Sequence, residues 1–213
     1  MIKRACTEWQ INERKKEIID TTNKMLDEMD YQNISMKTIA ERISIARSSL
    51  YCYYNSKEEI MLDILKDDYC AFLNEIITCF NSKDDSDTLA KSISSVYLNH
   101  MRLLKIVSIY LSDIEIHVSV EKLVTFKQNF KELLPSLNKS IKNHFINIDD
   151  EGSEVIEHSI LMLAHALYPM VKPNENQRLA MEIVGLKIVD DAFLYTYNYL
   201  KFLFSKLGEW LWN

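Results

Sequence analysis

Glycine and proline are almost absent from this chain, and their scarcity limits its possible folds more than any other feature. Its 213 residues include three glycines and three prolines, namely Gly152, Gly185, Gly208, Pro135, Pro169 and Pro173. β-Hairpins and phosphate-binding loops depend on residues that adopt positive φ, and glycine is the usual choice. Hydrophobic residues make up 47% of the sequence, which is enough for a packed core. The sequence therefore predicts an all-α protein with short connections.

No segment of the sequence predicts secretion or insertion into a membrane. The first ten residues mix Lys3, Arg4 and Glu8 with apolar residues and contain no hydrophobic stretch. The longest uncharged run, His158 to Val171, has 14 residues, whereas roughly 20 are needed to cross a bilayer. The four cysteines have no paired C-x-x-C spacing, as is typical of reduced cysteines in the cytosol. We therefore expect a cytoplasmic protein.

The net charge of −6 is unevenly distributed along the chain. Residues 1–60 contain ten basic and ten acidic side chains, so the rest of the chain carries the whole net charge. Phosphate contacts need a local basic surface rather than a basic protein. The distribution therefore permits binding to nucleic acid near the N-terminus.

Three helices are predicted within the first sixty residues. Apolar residues recur with helical periodicity from Glu13 to Met29, and residues 30–33 interrupt this pattern with turn-forming side chains. Ser35 can cap a short helix from about Met36 to Ile43, and a three-residue break separates it from another, about Arg47 to Tyr53. Two short helices joined by such a turn form a helix-turn-helix.

The second short helix carries groups suited to contacts with DNA. Arg47, Ser48, Ser49 and Tyr51 present a guanidinium and hydroxyls along one short surface, and such groups reach base edges and phosphate oxygens in a major groove. The run Ser56-Lys57-Glu58-Glu59 then predicts a capping box that begins a longer helix.

Apolar, aromatic and capping residues follow a fixed order between Arg14 and Met61. They are Arg14, Ile18-Ile19, Tyr31, Ser35, Ile39-Ala40, Ile45, Leu50-Tyr51, Tyr54 and Ser56-Lys57-Glu58-Glu59. This run, 48 of the 213 residues, resembles the DNA-binding domain of TetR-family regulators. The resemblance implies a three-helix DNA-binding domain, residues 1–57, and a larger helical domain for effector binding and dimerisation, residues 58–213.

The same resemblance implies roles for individual side chains. The implied DNA contacts are Ser35, Met36, Lys37 and Thr38 near the backbone, Arg47, Ser48 and Ser49 in the major groove, and Tyr51, Tyr54 and Lys57, which hold phosphates or brace the recognition helix. Tyr54 stands where the family usually has a packing phenylalanine. The implied function is sequence-specific regulation of transcription, with double-stranded DNA as the partner and no enzymatic activity or cofactor.

This sequence departs from the family pattern around its turn. Asp30, Ser44 and Ser48 stand where the family commonly has glycine, and Ala46 replaces a capping Ser or Thr. A left-handed Ser44 would cost about 1 kcal/mol, and the missing cap a similar amount. These departures keep open an alternative in which the helix-turn-helix mediates protein interaction.

Helices are also predicted throughout the remaining 150 residues. Their approximate bounds are Thr88–Leu104, Lys105–Ile114, Val120–Phe145 with a bend at Pro135, Ser153–Pro169 and Asn176–Leu207. The last two are apolar nearly all round, so they must be buried on several sides. TetR-like proteins pair such helices in a four-helix dimer interface, and we expect a homodimer.

The middle helices contain material for an effector pocket. The candidate lining residues are His100, Met101, Leu104, Tyr110, Phe126, Phe130, Met162, His165 and Tyr168. They predict a largely apolar small molecule. Two recognition helices enter successive major grooves when they lie about 34–36 Å apart, so a ligand that changes this spacing would release a repressor from a palindromic operator.

Other chemistry finds little support in the sequence. His158 and His165 are seven residues apart on one predicted helix, whereas metal-binding pairs on helices usually lie three or four apart, so no metal site is expected. No nucleophile elbow, Walker loop or dinucleotide fingerprint occurs. An enzyme that processes small molecules remains the third alternative.

Overall fold

The computed structural model describes residues 7–82, 84–109 and 113–210, the last five of these without their side chains. These residues contain eleven α-helices, some short 3₁₀ turns and no β-strand, which confirms the all-α prediction. The helices are α1 (Glu8–Glu28), α2 (Met36–Arg42), α3 (Arg47–Leu50), α4 (Lys57–Asn81), α5 (Ser86–Asn99), α6 (Met101–Ile109), α7 (Val120–Gln128), α8 (Leu133–His144), α9 (Asp150–Val171), α10 (Glu175–Ile183) and α11 (Ala192–Trp210).

The chain forms two compact units. The first contains Met1–Asp67 together with Tyr110–Lys127, and the second contains Asp68–Ile109 together with Gln128–Asn213. The first unit is therefore discontinuous in sequence. The predicted division between residues 57 and 58 concerns function rather than packing, and it remains a prediction.

Helix α1 begins earlier than its periodicity predicted. The Thr7 hydroxyl accepts a hydrogen bond from the backbone N–H of Gln10 at 3.2 Å, and the Gln10 side chain accepts from the Thr7 N–H. This capping box satisfies two backbone donors that a helix start would otherwise leave unpaired. The predicted apolar face is confirmed, because Ile18, Thr22 and Met25 are buried.

The second unit is built around α9. Helices α6, α8 and α11 pack against it, and α5 packs against α11. The phenol of Tyr97 in α5 is fully buried and donates to the carbonyl oxygen of Ile160 in α9 at 2.7 Å. This bond satisfies a buried hydroxyl and fixes the depth at which α5 packs.

Three predicted helices are interrupted in the structure. The first divides at His100, whose ψ of 27° lies outside the helical range, and not at Leu104. The second divides between Gln128 and Leu133, so Pro135 lies in the first turn of α8 and not at a bend. In the first turn of a helix the missing N–H of proline costs little.

The third interruption separates α10 from α11 and contradicts the single helix Asn176–Leu207. Helix α10 ends at Ile183, Gly185 adopts a φ of 70°, and α11 begins at Ala192. Glycine populates this left-handed region at no steric cost, which is why the chain leaves the helix there.

Two features are absent from the described residues. None of their helices combines the length and the apolar character that a membrane-spanning segment requires. Within the same residues, no cluster of three or more His, Cys, Asp or Glu side chains is placed to hold a metal ion.

Candidate nucleic-acid interface

The start of α2 is held by side chains that were predicted to lie near DNA. The Ser35 hydroxyl accepts from the Thr38 N–H at 3.2 Å, and the Ser35 N–H donates to the Thr38 hydroxyl at 2.9 Å. Lys37 is exposed, and its ammonium lies 3.8 Å from the carboxylate of Glu41. Met36 departs from the prediction, because its side chain is in the core with 7% exposed. Only the main chain of Met36 is therefore left for contact with a phosphate.

The turn between α2 and α3 is made by a serine in a glycine conformation. Ser44 has a φ of 56°. Its N–H donates to the carbonyl oxygen of Glu41 at 3.2 Å, and the next N–H, of Ile45, donates to the carbonyl oxygen of Ala40 at 3.0 Å. These bonds satisfy backbone groups at the end of α2 and reverse the chain. The predicted break between the two short helices is confirmed, and Ser44 has the left-handed conformation that its position in place of glycine suggested.

Helix α3 presents one face to the core and the other to solvent. Leu50 is fully buried, whereas Arg47 and Ser48 are exposed and Ser49 is half-buried. Ala46 occupies the N-cap position without a side-chain hydrogen bond, as its identity predicted. The helix is therefore held by the packing of Leu50 rather than by a cap, and Arg47 and Ser48 are left accessible.

Arg47 and Tyr51 form a pair on this exposed face. The guanidinium donates to the Tyr51 hydroxyl at 2.9 Å, and its central carbon lies 5.5 Å from the centre of the ring. Tyr51 is 42% exposed. Because a guanidinium donates from several N–H groups, this bond is compatible with a bidentate contact to guanine.

Tyr54 is placed as a brace rather than as a contact to DNA. Its side chain is 1% exposed, and its hydroxyl donates to Asp63 at 2.9 Å. Burial, together with the negative charge of Asp63, raises the pKa of the Tyr54 phenol. Of the two roles that were predicted, holding a phosphate is wrong for this side chain, since phosphate has no access to it.

Lys122 completes the surroundings of Tyr54. Its ammonium donates to Asp63 at 2.7 Å and lies 5.6 Å from the centre of the Tyr54 ring. The contact of Lys122 with Asp63 was not predicted from the sequence, because 59 positions separate the two residues and no local pattern relates them. Helix α7 thereby becomes part of the first compact unit.

Lys57 is likewise engaged within the protein. Its ammonium donates to the carbonyl oxygen of Tyr31 at 3.2 Å and lies 3.8 Å from the centre of the Tyr31 ring. Tyr31 donates in turn to Glu58 at 3.0 Å. Burial first, then Asp113 and Glu58, raises the pKa of the Tyr31 phenol. These contacts connect α4 to the segment between α1 and α2.

Half of the predicted capping box is present at the start of α4. The Ser56 hydroxyl accepts from the Glu59 N–H at 3.3 Å. The Glu59 carboxylate, however, accepts from the backbone N–H of Asn55 at 2.9 Å and from its side-chain amide at 3.0 Å. Glu59 therefore fixes the loop that joins α3 to α4.

Two of the predicted effector residues meet in an aromatic cluster in the second unit. The Phe72 ring lies edge-to-face with His100 at 5.6 Å between centres, and Tyr69 lies edge-to-face with Phe130 at 5.2 Å. Tyr69 and Phe72 are themselves stacked at 6.2 Å. Neither Tyr69 nor Phe72 was among the residues predicted to line a pocket.

The other predicted effector residues are dispersed. Leu104 is fully buried, Met101 and Tyr168 are half-buried, and His165 contacts the carbonyl oxygen of Leu161 at 2.8 Å. Phe126 belongs to the first unit, and Tyr110 lies outside the described residues. Met162 is 62% exposed, so its side chain lies on the surface of the second unit.

An open cleft of approximately 710 Å³ lies between α8 and α9 in the second unit. Its lining is Leu134, Pro135, Asn138, Lys139, Lys142, Asn143, Glu154, Glu157 and His158. None of the predicted effector residues contributes to it. Seven of these nine residues have polar or charged side chains, unlike the predicted effector residues, which are mostly apolar or aromatic.

Comparisons with known proteins identify the family. Residues 18–64 match the family model described as "Bacterial regulatory proteins, tetR family". Residues 66–200, more than half of the chain, match "Tetracyclin repressor-like, C-terminal domain". The chain belongs to the TetR family. Regulators of this family bind DNA and dimerise.

Individual TetR-family relatives are distant in sequence. The uncharacterized HTH-type transcriptional regulator YuxN of Bacillus subtilis (strain 168) is 28% identical over 105 residues, which are 48% of this chain and 36% of the relative. This chain spans less than half the length of the curated relatives that it matches.

Two solved structures share the fold. A TetR/AcrR-family regulator from Thermobifida fusca YX-ER1 has a TM-score of 0.58 at 16% identity and covers 89% of this chain and 97% of its own. The fatty acid degradation regulator FadR from Bacillus halodurans has a TM-score of 0.54 at 15% identity and covers 91% and 94%. At such identities the likeness concerns the fold alone.

Proposed function

We propose that this TetR-family regulator is a homodimeric repressor that binds a palindromic operator through α3. The observation that carries the proposal is the arrangement of α3 itself, in which a fully buried Leu50 anchors the helix while Arg47 and Ser48 remain exposed. A guanidinium and hydroxyls on a rigidly seated helix are suited to reading base edges in a major groove.

The dimer is proposed to form through α9 and α11. Both helices carry large apolar side chains that their own subunit leaves exposed, namely Val155, Met162, Met170, Leu194, Tyr199 and Phe202. Those on α9 recur at seven- and eight-residue intervals, so they share one face of the helix. Exposed apolar side chains that share a helix face in this way support the assignment of a protein interface.

Control by a small molecule is the third part of the proposal. The rings of Tyr69, Phe72, His100 and Phe130 form an aromatic cluster in the domain that follows the helix-turn-helix. We infer that a mainly apolar effector would bind among these rings, because aromatic side chains suit apolar ligands. Binding would release the repressor if the effector prefers a spacing of the recognition helices that does not fit the operator.

Footprinting the purified protein on DNA that flanks its own gene, across a salt series, tests the proposal. We expect a protected site with two-fold symmetry. Arg47→Ala should weaken operator binding roughly 5- to 150-fold, the effect of losing one good base contact. Arg102→Ala is the matched control, since Arg102 bonds Asp68 in the second unit and its loss should leave operator binding within about twofold.

The alternative, a helix-turn-helix that mediates protein interaction, is favoured by the missing cap at Ala46 and the strained turn at Ser44. Under this alternative Arg47→Ala leaves every DNA complex unchanged. Unchanged DNA binding would therefore overturn the repressor proposal. Turnover of a small molecule by the purified protein would instead support the enzyme alternative.

A further inference from the structure

Helix α10 lies almost entirely outside the core of its own subunit. None of its nine residues is buried. Leu179 and Ile183, which are four residues apart and share a face, are 54% and 74% exposed. Beyond the helix, Val184 and Leu186 are 67% and 61% exposed. Four large apolar side chains therefore project from a stretch of eight residues, which we name the α10 arm.

Helix α10 is too short to be stable in water without packing against another surface. Isolated helices shorter than about 12–15 residues are marginal in water, so most helices of this size depend on packing of an apolar face. Asn174 and Gln177 form a capping box, with bonds of 2.9 Å in both directions, but a cap alone does not hold a short helix. The arm therefore needs a surface that its own subunit does not supply.

The position of the arm in the chain indicates which surface this is. The arm lies within the segment that connects α9 with α11, the two helices whose exposed apolar faces form the proposed dimer interface. Pro173 precedes it, and Gly185 lies in the left-handed region with open space around the position of a β-carbon. Exposed apolar residues thus occur in α9, in the arm and in α11, which follow one another along the chain.

The size of a stable interface points the same way. Standard interfaces take about 20–30 residues of all types from each partner, and α9 and α11 contribute six large exposed apolar side chains to the proposed one. The arm adds Leu179, Ile183, Val184 and Leu186 to that number. In a two-fold dimer each such contact occurs twice, because the same patch is used by both subunits.

We propose that the α10 arm docks on a second copy of this chain, next to the interface formed by α9 and α11. The proposal rests on the homodimer of the proposed function and extends it, since each subunit would hold its partner with a segment that is not part of the four-helix bundle. The occupant of the apolar face of α10 is then the partner subunit, and neither a membrane nor an unrelated protein.

The double variant Leu179→Glu/Ile183→Glu tests the arm by sedimentation equilibrium of the purified protein. Leucine and glutamate have similar helix propensities, so the substitution at residue 179 changes the surface more than the helix. We expect the dimer dissociation constant to rise about 100-fold or more, because each substitution removes apolar burial at two symmetric sites. Arg178→Glu, on a different face of α10, is the matched control and should change the constant less than about tenfold.

A photoreactive amino acid at position 183 gives a second measurement that keeps the native sequence elsewhere. Irradiation of a mixture of light and heavy isotope-labelled protein should give covalent dimers containing one chain of each mass. Two results together would overturn the docking of the arm on the partner while leaving the repressor proposal intact. They are an unchanged dimer dissociation constant for Leu179→Glu/Ile183→Glu and cross-links from position 183 that form only within one chain. A wild-type protein that is monomeric would overturn both, and operator footprinting reports on the repressor separately.

Discussion

Ser44 carries a β-carbon in the left-handed region of backbone space, with a φ of 56°. A β-carbon there approaches the following carbonyl oxygen and costs roughly 1–2 kcal/mol. We expect Ser44→Gly to raise the free energy of unfolding by about 1 kcal/mol, somewhat less than this cost because glycine also gains freedom in the unfolded chain. For a chain of this size the melting temperature should rise by roughly 2–4 °C.

Ser44→Ala is the control for that prediction. Alanine keeps the β-carbon and removes only the hydroxyl, so it should not raise the melting temperature. A rise with alanine equal to that with glycine would show that the hydroxyl, and not the backbone conformation, is the source of the strain.

The site residues that sequence could assign are those whose environment is local. Leu50 and Ser48 are two positions apart in one short helix and so lie on nearly opposite sides of it, and Leu50 is buried whereas Ser48 is exposed. Tyr54 is different, since Lys122, from the distant helix α7, lies beside its ring. Lys122, which reaches Asp63 across 59 positions, shows why no local pattern could have indicated that environment.

At the scale of elements, a cluster around Asp87 ties α5 to α11. Its carboxylate accepts from Lys201 and from Tyr197, both in α11, each at 2.6 Å. It also pairs with Lys91 of its own helix at 2.6 Å. Lys201, then Lys91 and Tyr197, hold the pKa of the Asp87 carboxyl well below its usual range. The negative form of Asp87 is therefore stabilised in the folded state.

A pH dependence follows from this depressed pKa. A carboxyl whose pKa is lower in the folded than in the unfolded state contributes stability above its unfolded value, about 3.9, and loses that contribution as the pH falls below it. Asp87→Asn should therefore lower stability at neutral pH, and the difference from the wild type should shrink by about pH 3. Urea unfolding at both pH values measures this, and high salt should also reduce the difference.

Asp190→Asn serves as the control for Asp87→Asn, because it removes one carboxylate from the exposed segment between α10 and α11. A pH profile for Asp87→Asn that parallels this control would show that the cluster contributes nothing specific to folding.

Sequence patterns located most of the helices but not all of their ends. Caps with a local signature, such as Ser35, identified the start of α2, whereas the break at His100 has no such signature. The predicted helix Asn176–Leu207 failed for another reason. Its apolar residues suggested a buried helix, but those of α10 are exposed, and Gly185 ends the helix where periodicity continues.

For the whole molecule, dimerisation and operator binding should fail together. Phe202 is 64% exposed on α11, and burying such a side chain contributes about 1.5–3 kcal/mol at each of two symmetric sites. Phe202→Glu should raise the dimer dissociation constant at least about 100-fold. Operator affinity should fall in parallel, because two recognition helices must be held about 34–36 Å apart. Sedimentation and gel-shift titrations measure the two effects.

Val120→Glu is the corresponding control, since Val120 is 70% exposed but belongs to the first unit. It should leave the dimer intact. A Phe202→Glu protein that remains dimeric and still binds its operator would rule out α11 as the subunit interface.

The insertion of Tyr110–Lys127 into the first compact unit has a practical consequence for anyone who would isolate the DNA-binding half. A fragment truncated after residue 67 would lack Lys122, so the carboxylate of Asp63 would lose its cation and the ring of Tyr54 would lose one of the side chains that cover it. The first compact unit is therefore not one continuous stretch of sequence. Domain-swap chimeras of this regulator therefore need three junctions, after residues 67, 109 and 127, and not one.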